Sequence, residues 1–361
     1  MQRSAAQSGR LRAAIRCWIV LALLLIGVAL PTALAGPVSL RQNVRTALEH
    51  QHHGANALHV FGGDSGAMAR WTLTIVREVI PAMRDQPINA PAGRDARGRV
   101  LHDLRGVVER NRANGLITIL CPFGWTGLEE DVMAGRSPGA VAWASDYRAT
   151  LQGWARAFRN DADVWLELWN EPYDWQATAA SDGLQWRAEM QELVAAVRAV
   201  APQLTVVVPA GAMGQNEQVL LDHGRSLLGT DPHLVFDLHA YERWLPPAAP
   251  VAPEAPPRQH PAQATIQRRL RALRRRGLPL IIGETGPANA GLSLDPEPLL
   301  RAADAEGLPV LAWLWKRDRS DPSALLGEDN AERSGTDTWG GLFHAFASGS
   351  LPPAMPIRSR N

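Results

Sequence analysis

Short apolar runs alternate with amphipathic segments along most of this chain, and that rhythm limits what it can fold into. The clear runs are 116–120 (LITIL), 164–168 (VWLEL), 204–208 (LTVVV), 234–238 (LVFDL), 278–282 (LPLII) and 308–314 (LPVLAWL). Helical patterns occupy 100–114, 147–159, 181–200, 262–276 and 295–305, and the first of them ends on Asn114-Gly115, a helix stop. Strand-length runs separated by helix-length segments build βαβ units around a parallel sheet, and nearly continuous apolar strands suit a sheet covered on both faces. Two further units fit within 57–82, with strands near 58–62 and 73–80, although 67–83 also reads as one helix. Eight units over about 300 residues have the size of an α/β (β/α)8 TIM barrel. An open doubly wound sheet is the competing architecture. No glycine-rich phosphate loop follows any run, so a nucleotide site has no support.

Charge and cysteine content remove other classes. Among 361 residues, 37 basic and 36 acidic side chains leave a net +1, which excludes a polybasic nucleic-acid binder. Two cysteines exclude a disulfide scaffold and a cysteine-based zinc module. Arg3, Arg10, Arg12 and Arg16 precede the apolar stretch 17–30, and Pro31 and Ala33-Leu34-Ala35 follow it. A basic start, a short apolar run and an A-x-A site read as a secretory signal, and the run is shorter than the ~20 residues a spanning helix needs. An uncleaved anchor is the alternative. The expected organisation is therefore a signal peptide at 1–35 and one barrel domain at 36–361, secreted or periplasmic, free of the membrane after cleavage, and monomeric. Loss of four arginines turns +1 into −3, and Cys121 is then the sole cysteine, expected as a packed thiol. The proline-rich stretch 246–261 reads as a semi-rigid loop over one face.

Barrel chemistry sits at the C-terminal ends of the strands. Trp169-Asn170-Glu171-Pro172 follows the run at 164–168, His239-Ala240-Tyr241 follows 234–238, and Gly283-Glu284-Thr285-Gly286 follows 278–282. The last run holds Trp313 and leads into Trp315-Lys316. A lone carboxylate after a buried strand is costly unless it is paired or used. Glu171 and Glu284 are three βα units apart, which sets them across one barrel mouth from each other. A carboxylate pair at ~5–5.5 Å can act as nucleophile and acid/base.

These elements, in this order, resemble glycoside hydrolase family 5, the cellulase and mannanase barrels. The resemblance runs from about residue 57 to the last strand. It implies a retaining hydrolase of a β-linked oligo- or polysaccharide, with β-1,4-glucan the first expectation. Mannan or another β-glycan is the alternative, as is a catalytically silent sugar-binding barrel. Glu284 corresponds to the nucleophile and Glu171 to the acid/base. Asn170 would bond the sugar 2-hydroxyl, Tyr241 would sit beside the nucleophile, His239 near the acid/base, and Trp313 under the reacting sugar. Arg77 is similar to an arginine near the nucleophile. Such a mechanism needs a raised pKa on Glu171 and an ionised Glu284, and neither a metal nor another cofactor. The family's third-strand histidine is replaced here by Phe123.

Tryptophan outnumbers phenylalanine and tyrosine together, 13 to 9, so part of it is expected to bind sugar. Trp125, Trp169, Trp175 and Trp244 follow strand ends and are candidate subsites, while Trp71, Trp143, Trp154 and Trp186 fall in helical patterns and read as core. The histidine cluster at 50–53 lacks metal-ligand spacing. The arginines at 268–276 read as the outer face of a helix.

Overall fold

The computed structural model describes residues 52–63, 65–176, 179–248, 261–316, 321–327, 331–333, 335 and 337–352. The expected signal peptide and most of the proline-rich stretch lie outside these residues. Eight strands form one closed parallel barrel: β1 (Gly54–Ala57), β2 (Ile75–Ile80), β3 (Ile117–Pro122), β4 (Val164–Glu167), β5 (Thr205–Pro209), β6 (Leu234–Ala240), β7 (Leu280–Thr285) and β8 (Val310–Ala312). Each pairs with its neighbours in sequence, and β8 closes on β1. The barrel is therefore the architecture, and the open sheet is excluded.

Helices α1 (Ser65–Arg70), α2 (Leu104–Ala113), α3 (Ala144–Ala157), α4 (Ala179–Arg198), α5 (Pro261–Arg275), α6 (Glu297–Glu306) and α7 (Trp339–Ala347) surround it. Between β5 and β6 the crossover is a run of short helical pieces, Glu217–Val219, Leu220–Gly224 and Arg225–Leu228. Local chemistry sets the helix ends. The Asp103 carboxylate caps α2 by accepting from the Gly106 amide at 2.8 Å. Gly307, at φ +64°, takes the left-handed turn that ends α6. Among the described residues no helix is long and apolar enough to cross a membrane.

One strand differs from the expectation. The first strand is Gly54–Ala57, and residues 59–61 form a short 3-10 turn instead. Its sequence, GANA, carries no apolar run because the site demands small residues. A Cβ on Gly54 would lie 2.2 Å from the Ile75 carbonyl oxygen. The alternative helix over 67–83 stops at Arg70, and Thr72 at φ +62° turns the chain into β2. Strand β2 carries two charges that disguise it. Arg77 points into the barrel, whereas Glu78 faces outward and is held by His59 Nδ1 at 2.7 Å and Asn111 Nδ2 at 2.8 Å.

Alternation along the strands creates two cores. Outward residues pack against the helices, with Trp71, Trp154 and Trp186 fully buried among them. Inward residues Ile75, Ile117, Ile119, Trp165, Val207, Val235, Ile281 and Leu311 fill the barrel's lower half. Full burial of side chains this size contributes about 1.5–3 kcal/mol each.

Candidate active site

The barrel interior changes character two residues further along three of the strands. Ile75 gives way to Arg77, Trp165 to Glu167, and Val235 to Asp237 and then His239, all of them fully buried. Arg77 is the hub of this layer. Its Nε donates to Glu167 Oε2 at 2.6 Å and its Nη2 to Glu167 Oε1 at 2.9 Å. Nη1 donates to Asn56 Oδ1 at 2.7 Å and to Glu284 Oε1 at 2.5 Å, and Nη2 also donates to Asn170 Oδ1 at 2.8 Å. A guanidinium has five N–H donors, and all five are used.

A register shift brings Glu284 into the layer. Strands β6 and β7 pair Leu238 with Ile282 and then His239 with Glu284, leaving Gly283 as an extra residue on β7. Simple alternation from the inward Ile281 would turn Gly283 inward and Glu284 outward. The bulge reverses that parity. Gly283 has to be glycine for a second reason. Its amide donates to Asp237 Oδ1 at 2.7 Å, and a Cβ there would lie 2.2 Å from Asp237 Oδ2.

Glu171 approaches from beyond β4. It takes φ +49°, a left-handed backbone that few L-residues adopt and that clusters at functional sites. His239 Nδ1 sits 2.8 Å from Glu171 Oε1 and 3.6 Å from Glu284 Oε2, while its Nε2 faces Asp237 Oδ2 at 3.4 Å. A Glu171 oxygen, a ring nitrogen of His239 and a Glu284 oxygen all lie within 4.8 Å of one another. The Tyr241 hydroxyl donates to Glu284 Oε2 at 3.2 Å.

Electrostatics follow from this crowding. Burial pushes Glu284 up to about 7; His239 and Arg77 pull it down, and Glu171 adds to the rise. Glu284 is the more deeply buried of the two carboxyls, its side chain 5% exposed against 14% for Glu171. Burial opposes charge on His239, but Glu284, Asp237 and Glu171 outweigh it and hold the imidazole well above its ordinary value. Burial also raises the Cys121 thiol, whose Sγ lies 3.9 Å from Asn170 Oδ1, so Cys121 is a packed thiol. Glu167, Asp237 and His239 form a second trio of donors within 4.8 Å. In each trio Arg77 already pairs with one carboxylate, Glu167 in one and Glu284 in the other, which works against a further cation.

The aromatic residues divide. Trp313 is half-buried, and Phe123 stacks on it with centroids 5.9 Å apart. Trp125, expected to bind sugar, is 6% exposed and belongs to an aromatic stack, 5.1 Å from Trp143, which in turn lies 5.5 Å from Trp169. Trp169 and Trp244 are buried too, the latter beneath the Arg269 guanidinium at 3.6 Å. Of these four candidates only Trp175 is open, 36% exposed, with Arg243 over its ring at 4.6 Å and bonded to its carbonyl. Most of the tryptophan excess is thus core.

The structure brings Arg77, Asn170, Glu171, His239, Tyr241 and Glu284 together. Sequence reasoning missed Glu167, Asp237 and Asn56. For the first two a signal existed, a charge inside an apolar run (VWLEL, LVFDL).

Residues 65–319 match the family model for cellulase, glycosyl hydrolase family 5. The chain belongs to glycosyl hydrolase family 5. A mannan endo-1,4-beta-mannosidase of Cellvibrio japonicus is 24% identical over 240 residues, covering 66% of this chain but 50% of that protein. The chain thus spans about half the length of that family 5 relative. A second mannan endo-1,4-beta-mannosidase, from Salipaludibacillus agaradhaerens, is 22% identical over 306 residues, 84% of this chain and 80% of its own length. Among solved structures, the beta-mannanase of Streptomyces thermolilacinus with mannohexaose shares the fold at TM-score 0.60 and 22% identity, over 83% of this chain and 90% of that one.

Proposed function

We propose that this family 5 barrel is a retaining hydrolase of a β-1,4-linked glycan. One observation carries the reading: oxygens of Glu171 and Glu284 face each other across the mouth within 4.8 Å. Retaining enzymes hold their carboxyls ~5–5.5 Å apart, and inverting enzymes leave ~6.5–9.5 Å for a water.

Glu284 attacks the anomeric carbon as the bond to the leaving oxygen breaks, and Glu171 gives that oxygen its proton. Glu171, now a base, takes a proton from water. The water oxygen displaces Glu284 and releases the sugar with its configuration retained. The productive state needs Glu284 ionised and Glu171 protonated. His239 Nδ1 is hydrogen-bonded to Glu171 and lies 3.6 Å from Glu284, so one imidazole couples the charges of the two carboxyls. Arg77 and Tyr241 stabilise the ionised nucleophile through their bonds to it. Asn170 Oδ1 is taken by Arg77 and its buried Nδ2 has no partner among the described residues, which leaves a donor for a sugar hydroxyl. The steps as written use no metal or organic cofactor.

The sequence favoured a glucan. The names of the relatives, mannan endo-1,4-beta-mannosidase in two organisms, favour a mannan, and we put mannan first. Export through the N-terminal signal, a monomeric state and action on an external polysaccharide belong to the same proposal. The test is reducing-sugar release from mannans, glucans and xylans. Release from mannan above the others supports the reading. Release from none, with sugar binding retained, would leave a silent binding barrel instead.

A further inference from the structure

We propose that Glu167 is a positioning residue: its two-point grip on Arg77 directs both the Glu284 carboxylate and the Asn170 amide. The inference rests on the hydrolase reading above.

Glu167 is fully buried on β4. Both of its oxygens are engaged by Arg77, and no other side chain among the described residues donates to them. This is the planar fork-to-fork arrangement that fixes a guanidinium in orientation as well as in place. With Nε and one Nη2 proton anchored on Glu167, the remaining donors can point only one way. They meet Glu284 Oε1 and Asn56 Oδ1 through Nη1, and Asn170 Oδ1 through Nη2. The bond to Asn170 also decides which end of that amide is spent on the protein. Glu167 thus acts on the nucleophile and on a substrate donor at once, without touching either.

A simpler role is that of a counter-charge for Arg77, and the two roles predict opposite pH behaviour. The titratable groups facing Glu284 are Arg77 of β2, Cys121 of β3, Glu171 beyond β4, and His239 and Tyr241 of the β6 end. If Glu167 only balances charge, Glu167→Gln frees the Arg77 charge to act on Glu284 and the acid limb of activity moves to lower pH. If Glu167 positions, the glutamine amide faces a guanidinium N–H, the grip opens, Glu284 loses its fixed donor, and the limb moves to higher pH.

The experiment follows dinitrophenolate release from 2,4-dinitrophenyl β-mannobioside and β-cellobioside, from pH 4 to 9, by wild type, Glu167→Gln and Glu167→Asp. Aspartate keeps the charge but is one methylene too short for the same grip. Circular dichroism and a thermal melt report folding. We expect kcat to fall roughly 100-fold in both variants, the scale of a small misplacement of reacting groups, with KM nearly unchanged and the Glu167→Gln acid limb displaced upward. The inference is overturned if wild type releases dinitrophenolate while Glu167→Asp restores full kcat, if the limb moves downward, or if neither variant folds. Wild type that acts on no glycoside would instead bring down the hydrolase reading, and this inference with it.

Discussion

The same strands line the barrel with two unlike layers. Below, Ile75, Trp165, Val235 and Ile281 belong to an eight-residue apolar plug. Two positions on, Arg77, Glu167 and Asp237 are equally buried but charged. Burial in the lower layer is favourable by itself. In the upper layer it costs several kcal/mol per ion unless each is paired, so Arg77 must satisfy Glu167, Glu284 and Asn170 together. The lower layer therefore holds the barrel closed, and the upper layer draws on that stability to keep Glu284 at the mouth with its pKa raised.

Arg77→Met should separate the layers most sharply. It strands Glu167 and Glu284 as buried anions, with an expected loss of ~3–5 kcal/mol in urea unfolding and of all activity. An unchanged midpoint would show that the upper layer is not held by this cation. Ile281→Ala should cost ~2–5 kcal/mol by opening a cavity, while the folded fraction keeps its kcat. A large kcat loss at unchanged stability would break the division of labour.

The pH dependence comes next in size. Glu284 titrates near 7 in the folded protein against an ordinary 4.5, so the folded state holds this proton more tightly than the unfolded chain. Its contribution to stability is largest below about 4.5, falls as pH rises towards 7, and then levels off. The full fall is at most about 3 kcal/mol. Melts from pH 4.5 to 8 should show a shallower decline for Glu284→Gln than for wild type; parallel curves would count against a buried, proton-holding Glu284. The smallest effect is expected at the rim. Trp175→Ala should raise KM about fivefold, equivalent to ~1 kcal/mol, and leave the melting temperature unchanged.

Legibility in the sequence followed the same division. Six strands stood out because their apolar runs exceed four residues. The first, GANA, did not, because close packing against Ile75 selects small side chains and erases the pattern. Glu171 and Glu284 were visible at the ends of runs. Glu167 and Asp237 lay inside runs and looked like blemishes in a hydrophobic pattern. That Glu284 faces inward depends on the bulge at Gly283, and residue counting gives the opposite parity. The fate of Trp125 depended on Trp143 and Trp169, from separate segments, closing over it. Period reveals elements; it does not reveal which distant rings meet.

The central claim is that Glu284 is the nucleophile held by the charged layer. Incubation with a 2-deoxy-2-fluoro β-mannosyl fluoride, and in parallel with its glucosyl counterpart, followed by peptide mass spectrometry, tests it directly. A covalent fluorosugar is expected on Glu284, formed faster above pH 7 and absent in Glu284→Gln. A sugar on Glu171, or turnover without any adduct and with inverted product, would contradict it.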